Sequence, residues 1–591
     1  MKKTFIVLYF LLLMFSSQAL ALEFKAGTYF FDNSKLKFDS VKCVVEDTTT
    51  GTSNVYKMTK LEGKDWWCLE LNQKIENINC YCFFQGGIAP GTYSVSPEML
   101  LTSCEHRTRL LPVSPGMLPG WVSPGWVFYP INDSIISDGY WRTATSYDAS
   151  PSMTLPVVHI TTQNNRPVTS RDYYMGGTLW IEDEQNSLGT QQLPLDIEIK
   201  GRGNWTWRTF NKKPYKIKFA TKQSPLGLDH SKHFILKPDA GDYSSYMRDE
   251  TGFELSRQLG MPYTPRQLPV EVVFNGEYEG LYFLCEKIRV EGGRVDIIEQ
   301  EDNDSSINNV SGGWLLEMAY EDNYVIAQYE NEDPANNWFQ FVSQSPEILS
   351  QEQRTYIHDF IHRTDSCIFT PDKNDDSWEH LLDINTVVKF YVIHEVMENI
   401  EAFQGSLFMY KDWGLDEKLK FGPVWDFGNS VNQGYAIDGT RFIFDYETPF
   451  HFVWIKELLK FPHFQSVLRG EWKKFVDNNV FDNVLNHIML WKSSFAQAEQ
   501  CDKQRWGYYA SGHTDKFLTT ITRKVAWLDE QWSVAAGDVN CDGHVSAVDA
   551  TAIYNYLLNG DETYKSTCDI DGDGHITSTD ITALYNILLG E

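Results

Sequence analysis

The chain has 591 residues and a formal net charge of −29, because 80 Asp and Glu outnumber 51 Lys and Arg. At roughly 100–200 residues for each domain, this length predicts three or four domains. The acidic balance disfavours binding to nucleic acids and to anionic membrane surfaces, since both need a cationic protein surface. Cations and neutral ligands such as sugars remain as partners.

The N-terminus has the features of a secretory signal peptide. Lys2 and Lys3 precede an apolar run at 5–15, and small residues follow up to Ala21. We predict cleavage after Ala21 rather than a membrane anchor, because the apolar run is too short to span a bilayer comfortably. The mature protein is then secreted, has no membrane span and can be held at a cell surface by another protein.

Export permits disulfides, and the chain has ten cysteines. Five of them lie within residues 43–104, and an odd number cannot pair completely among themselves. We favour buried free thiols for this group. Cys541 and Cys568 lie near the C-terminal repeats described below, and a disulfide between them stays open.

The segment after the signal peptide, 22–110, predicts a β-sandwich from short strand-forming runs at about ten-residue spacing. Its motifs at 29–34 and 41–45 and the pair Trp66-Trp67 resemble starch-binding modules. Adjacent residues of a strand point to opposite faces, so one Trp can fill the core while the other stacks on sugar. The alternative is that both rings are structural. Residues 111–154, rich in Pro, Gly and Trp, predict a loop-rich connector.

The last segment, 536–591, contains a duplicated twelve-residue pattern at 538–549 and 569–580. Each copy has side-chain oxygens at positions 1, 3, 5, 9 and 12, Gly at position 6, and a position 7 that can offer its carbonyl oxygen, which is the arrangement of a calcium loop. The predicted ligands are Asp538, Asn540, Asp542, His544, Ser546 and Asp549 in the first loop and Asp569, Asp571, Asp573, His575, Thr577 and Asp580 in the second.

One segment of helical periodicity follows each loop, so the repeats are not complete EF-hands. The segment resembles a type I dockerin, an all-α module with two calcium-binding loop–helix repeats. The resemblance implies two Ca²⁺ ions and a cohesin-bearing partner protein. It also implies that positions 10 and 11 recognise this partner, which are Ala547, Val548, Ser578 and Thr579.

The central region contains several motifs that suggest phosphate and metal chemistry. They lie at 200–207, 212–219, 234–239, 248–250, 273–287, 398–406, 410–412 and 422–428. Alternation in the second motif places Lys216 and Lys218 on one strand face, where lysines can pair with phosphates. Asp426 follows an apolar strand, where a carboxylate can hold Mg²⁺.

Together these motifs resemble the CotH family of atypical, spore-coat-protein-H-type protein kinases, over roughly 155–535. The resemblance implies a kinase-like α+β domain that uses ATP with Mg²⁺ or Mn²⁺ to phosphorylate extracellular proteins on Ser or Thr. It assigns the nucleotide phosphates to Lys216 and Lys218. Glu286 would orient a lysine or line the nucleotide site, Asp426 would hold the metal, and Glu401 would orient or deprotonate the acceptor hydroxyl.

Three positions depart from the family pattern. Glu401 stands where N-x-D has Asp, Gly428 replaces the second Asp of W-D-x-D, and Ser406 stands at a frequent Asn. Two functions therefore stay open. One is an active kinase docked to a cohesin, and the other is a degenerate domain that binds carbohydrate or acts as a scaffold in an extracellular polysaccharide-degrading assembly. A glycoside hydrolase ranks last, since no carboxylate pair stands out.

The predicted architecture is multidomain α+β. Its parts are the signal peptide 1–21, the β-sandwich 22–110, the connector 111–154, the kinase-like domain 155–535 and the dockerin 536–591.

Overall fold

The computed structural model describes residues 149–590 and short strand segments between residues 22 and 83. Within 149–590 it leaves out 169, 204–205, 208–209, 211, 241–245, 307, 320–324, 328–339, 404, 433–438, 447–452, 507–513 and 562. The predicted signal peptide and most of the predicted connector lie outside the described residues. None of the helices in the described part is long and apolar enough to cross a membrane.

The N-terminal segment forms two antiparallel sheets, as its alternating apolar pattern suggests. The strands are β1 (Leu22–Phe24), β2 (Gly27–Asp32), β3 (Lys42–Asp47), β4 (Ser53–Lys57), β5 (Thr59–Lys60), β6 (Trp66–Leu71) and β7 (Ile75–Phe83). One sheet has the order β1-β7-β3-β4 and the other β2-β6-β5. Trp66 and Trp67 pair with Asp32 and Phe31 of β2. Their side chains lie outside the described part of the structure, so sugar binding stays a prediction.

The next seven strands close into a barrel. They are β8 (Val157–Thr162), β9 (Met175–Glu182), β10 (Leu195–Gly201), β11 (Tyr215–Gln223), β12 (Ser231–Lys237), β13 (Gln267–Phe274) and β14 (Glu277–Glu286). Their order is β10-β11-β12-β14-β13-β8-β9, which leaves no open sheet edge. Asn275 and Gly276 turn β13 into β14 with positive φ angles of 52° and 82°, as an Asn-Gly hairpin turn requires.

A five-stranded sheet with the order β16-β17-β15-β18-β19 follows the barrel, and we call it the second sheet. Its strands are β15 (Trp314–Ala319), β16 (Val325–Ala327), β17 (Gln340–Ser345), β18 (Leu407–Lys411) and β19 (Lys420–Phe421). The described helices are α1 (Arg248–Gln258), α2 (Gln351–Ile368), α3 (Ile384–Val396), α4 (Val453–Leu458), α5 (Pro462–Asp477), α6 (Val480–Ser494), α7 (Ala496–Trp506), α8 (Thr514–Trp532), α9 (Ala547–Asn559) and α10 (Ser578–Leu589). Helix α3 is apolar on nearly all sides because it runs through the largest core.

A buried ion pair joins α8 to α3. Lys524 Nζ lies 2.5 Å from Glu395 Oε1, and neither side chain is exposed to solvent. Burial raises the pKa of Glu395, and Lys524 opposes that shift. Glu395 also accepts a hydrogen bond from the backbone N–H of Ile443 at 3.0 Å. The pair therefore fixes the C-terminal end of α3, which leads directly into the 398–406 motif.

We expect Lys524→Met to lower the free energy of unfolding by about 3–5 kcal/mol, because it leaves Glu395 buried without its counter-ion. Urea denaturation measures this loss. Lys460→Met is the matched control, since Lys460 is 59% exposed in its pair with Glu457 and should cost less than about 1 kcal/mol. Equal losses in the two variants would contradict the structural role of Lys524.

Candidate functional site

The candidate site lies beside the contact between the barrel and the second sheet, and we call this region the cleft. Ile235 of β12 and Cys285 of β14 face outward from the barrel and share a buried cluster with Phe253 of α1 and Leu316 of β15. The outer face of the barrel therefore packs on α1 and β15. The polar residues on the same strands line the cleft beside this contact.

One wall of the cleft is basic. Lys216 lies opposite Lys200 in the β10–β11 register and forms no ion pair with any residue that the structure describes. Burial, followed by the neighbouring charges of Lys287, Arg202 and Lys200, lowers the pKa of Lys216 to about 7, while Glu317 opposes the shift. Mutually repelling cations that lack counter-ions are the electrostatic signature of an anion site.

Neighbouring cations also lower the pKa values of Lys287 and His233. The pKa of Lys287 is lowered by burial and then by Arg289, and the pKa of His233 is lowered to about 3 by burial, Arg289 and Lys287. His233 is therefore neutral near pH 7. Lys218 shares the strand face of Lys216 but pairs with Glu198 at 2.7 Å and is 39% exposed, which places it at the rim.

The structure does not bring Glu286 to this wall. Lys216 is in register with Ile235, and Ile235 with Cys285, whereas Glu286 pairs with Phe234 on the opposite sheet face. Glu286 is fully buried and accepts hydrogen bonds from the Asp229 N–H at 2.9 Å and from Arg266. Its position indicates a structural role at the end of the barrel.

The other wall carries Asp426, which has a positive φ of 58°. Its side chain is exposed to solvent, although neighbouring protein groups surround it. Partial burial and then the carboxylate of Asp249 raise the pKa of Asp426, while Arg202 and Ser406 lower it. The Ser406 hydroxyl donates to Asp426 Oδ2 at 3.2 Å, and Asn399 Nδ2 donates to its backbone carbonyl at 2.9 Å.

Glu401 lies close enough to Asp426 for their charges to interact. Burial, together with the carboxylate of Asp426, raises the pKa of Glu401 to about 7. The side-chain amide of Asn429 donates a hydrogen bond to Glu401 and opposes that shift. A half-buried carboxyl group with a pKa near neutrality, held by an amide, suits a general base.

Sequence analysis assigned no role to Lys237 and Asp249, which form an ion pair on this wall. Asp249 Oδ1 accepts a hydrogen bond from the Phe427 N–H at 3.1 Å, next to Asp426. Burial lowers the pKa of Lys237, but Asp239 and Asp249 outweigh it and raise the pKa above its ordinary value. A lysine at the end of a buried strand, followed by two Asp residues, was the available signal.

The oxygen atoms of this wall suit a hard cation. Asp426 and Asp249 offer carboxylates, and Ser406 and Asn429 offer a hydroxyl and an amide oxygen. Among the described residues, the carboxylates of Asp249, Asp426 and Glu401 do not converge on one point, unlike those of the second calcium loop. Mg²⁺ commonly takes one or two carboxylates and completes its shell with water and substrate phosphates, so the donor set fits such an ion.

The two C-terminal loops have the geometry of calcium loops. In the first, Asp538 accepts hydrogen bonds from Asp542 and Gly543 N–H groups at 3.0 and 2.9 Å. In the second, Asp569 accepts from Gly572 and Gly574 at 2.9 Å each. The glycines at position 6 have φ angles of 90° and 83°. The carboxylates of Asp569, Asp571 and Asp573 already lie within 4.8 Å of one another.

The position-12 carboxylates also cap the following helices. Asp549 accepts from the Ser546 N–H at 2.8 Å, and Asp580 from the Thr577 N–H at 2.8 Å, each as half of a capping box. The pairs Ala547-Val548 and Ser578-Thr579 follow at the start of the helices and are exposed. Cys541 and Cys568 are buried free thiols, so this structure has no disulfide between them.

The described structure thus combines a domain of mixed strands and helices with a C-terminal module of two loop–helix repeats. A family model described as CotH kinase protein matches residues 197–532, and one described as Dockerin type I domain matches residues 536–589. The first match covers more than half of the chain, so the chain belongs to the CotH kinase family and carries a C-terminal type I dockerin. A comparison with curated proteins gave no match.

Type I dockerins typically bind Ca²⁺ and imply a cohesin partner. We expect Asp580→Asn to weaken calcium binding at the second loop by roughly tenfold or more, because one ligand charge is lost. Calorimetric titration of the full chain should resolve this change. Asp561→Asn is the control, since Asp561 lies between the loops and bonds only Thr563 among the described residues. The prediction is wrong if both variants bind calcium alike.

Proposed function

We propose that this protein is a secreted atypical protein kinase. It transfers the γ-phosphate of ATP to Ser or Thr of an extracellular protein while its dockerin holds it on a cohesin-bearing partner. The observation that carries this proposal is the pairing of two walls in one cleft. Lys200, Arg202 and Lys287 lie near Lys216 on one wall, and Asp426 and Glu401 lie near each other on the other.

The basic wall serves the nucleotide phosphates. Lys216, Lys200, Arg202 and Lys287 converge from β10, β11 and the end of β14, which explains their effect on the pKa of Lys216. A bound triphosphate replaces this repulsion with attraction, and it restores the proton that Lys216 partly loses near pH 7. The net charge of −29 disfavours an anionic ligand elsewhere, so this local cluster is selective.

The acidic wall serves the divalent cation. Gly428 lacks the second carboxylate of the family motif, but Asp249 approaches Asp426 from α1 and supplies a carboxylate in its place. Ser406 offers a hydroxyl near Asp426 in place of an amide. When bound, Mg²⁺ or Mn²⁺ neutralises charge on the transferred phosphate.

Glu401 serves the acceptor hydroxyl. It has one methylene more than Asp, and Asn429 holds its carboxylate in place. A pKa of about 7 leaves a substantial fraction ionised at neutral pH, so Glu401 can accept the proton as the hydroxyl attacks phosphorus. Phosphoryl transfer depends mainly on positioning and electrostatics, which these contacts supply.

Export and docking complete the proposal. The signal peptide at 1–21 directs secretion, and the exposed pairs Ala547-Val548 and Ser578-Thr579 contact the cohesin. Residues 22–110 form a carbohydrate-binding module in this proposal, with sugar stacked on Trp66 or Trp67. This architecture would place the kinase within an extracellular assembly that acts on polysaccharides.

We expect Lys216→Ala to weaken ATP binding by roughly tenfold or more, since it removes a charge-assisted contact to phosphate. Calorimetry of the full chain with ATP and Mg²⁺ or Mn²⁺ measures this change. Lys218→Ala is the matched control on the same strand face, and its pairing with Glu198 predicts a change below about threefold.

Transfer of radiolabelled γ-phosphate should be lost in Asp426→Ala. Absence of both ATP binding and transfer in the native chain would instead favour the scaffold function.

The pH dependence of kcat/KM should be bell-shaped with a maximum near pH 7. Glu401 must be deprotonated, so the rate rises as pH rises through about 7, and Lys216 must be protonated, so the rate falls as pH rises further. Lys216→Arg keeps its charge at all these pH values and should remove the alkaline limb alone. An alkaline limb that persists in Lys216→Arg would exclude Lys216 as its origin.

A further inference from the structure

The first calcium loop packs against helix α5 of the CotH domain. The Ser466 hydroxyl donates a hydrogen bond to the backbone carbonyl of Asn540, and Arg469 Nη1 donates to the carbonyl of Cys541 at 3.2 Å. Cys541 Sγ lies against Gly470 of the same helix, where a Cβ atom would be 3.8 Å away. The backbone of loop positions 3 and 4 is thereby attached to the domain.

Buried groups surround these contacts. Ser466 is 5% exposed and Cys541 is fully buried. Tyr564, just before the 3-10 helix Lys565–Thr567, lies close to Ser466. Thr567 Oγ1 donates to the Val539 carbonyl at 2.5 Å, which ties this short helix to the first loop. The contact is therefore a packed interface.

The contacts between α5 and the first loop use the backbone carbonyls of Asn540 and Cys541 rather than the predicted ligand oxygens. Arg469 bonds a carbonyl and forms no ion pair with Asp538, Asp542 or Asp549 in the described part of the chain. Its positive charge nevertheless lies on the acidic loop, where it opposes the effect of Asp538 on the pKa of Cys541. The helix thus supports the loop conformation without occupying the calcium site.

Among the residues that the structure describes, none outside the module supports the second loop in this way. A Cβ atom built on Gly543 would lie 2.9 Å from Arg469 Nη1, whereas one built on Gly572 or Gly574 would meet nothing within 4 Å. The two copies are therefore alike in sequence but different in surroundings.

We propose that the first calcium loop is a docking element whose partner is helix α5 of this same chain. Calcium binding at this loop stabilises the CotH domain, and the second loop carries no comparable coupling. Calcium and α5 both favour the same folded conformation of residues 538–549, so each raises the affinity of the other. The reciprocal effect follows from thermodynamic linkage alone, and it does not depend on kinase activity.

The distribution of tryptophan gives a direct test. All 19 Trp residues precede residue 536, so Trp fluorescence reports on the rest of the chain and not on the calcium module. One reporter, Trp472, is buried in α5 and meets Trp532 edge to face, with 5.2 Å between the ring centroids. In thermal unfolding of the full chain, we expect saturating Ca²⁺ to raise the Trp-detected Tm by about 2 °C or more over the value in EGTA.

Variants on each side of the interface separate the causes. Arg469→Ala should remove most of the calcium-induced shift. Lys474→Ala should keep it, because Lys474 lies on the same helix but pairs with Glu471 of that helix. Asp538→Ala should remove the shift, and Asp569→Ala should retain the larger part. Asp426→Ala should retain it as well, which excludes calcium in the cleft. If Asp538→Ala prevents folding of the module, Arg469→Ala still decides, since it lies outside the loop.

Two results would overturn the proposal. One is a Trp-detected Tm that does not respond to Ca²⁺ while circular dichroism shows that the module binds it. The other is an unchanged shift in Arg469→Ala. Neither result bears on ATP binding or phosphate transfer, so this proposal and the proposed kinase function fail independently.

Discussion

The ion pair between Lys237 and Asp249 is the contact on which the cleft depends. It joins the end of β12 to the first turn of α1, and Asp249 also receives the backbone N–H of Phe427. Three separate elements therefore meet at one carboxylate. Its partner ammonium lies 5.4 and 5.5 Å from the rings of Phe253 and Trp425, so aromatic faces stabilise the buried charge as well. Together with the packing of Ile235 and Cys285 on Phe253, this junction holds the barrel against α1.

The calcium loops and strand β11 show how much of the structure could be predicted from the sequence. The calcium loops could be derived residue by residue, because their ligands and caps lie within twelve consecutive positions and the glycine requirement is local. Strand alternation likewise placed Lys216 and Lys218 on one face. The distinction between them could not be derived, since the counter-ion Glu198 comes from a neighbouring strand.

Register explains the main discrepancy. Glu286 and Cys285 are adjacent in β14, and a change of one residue exchanges the two faces of a strand. A motif identifies the strand, but pairing with β12 decides which side chain meets the cleft. Asp249 and Arg202 were missed for a related reason. Their relation to Asp426 crosses about 180 and 220 positions of sequence, and only the closed barrel and α1 bring them together.

The short connection between α8 and the first calcium loop has a mechanical consequence. Helix α8 ends at Trp532 and the first ligand is Asp538, so five residues separate them and span at most about 18 Å. A long flexible tether would let a docked enzyme sweep a wide volume around its anchor. Here a short linker and a packed interface hold the calcium module in one orientation relative to the CotH domain. In the proposed assembly, the direction in which the cohesin-bearing partner holds the CotH domain would then decide which neighbouring proteins face the cleft.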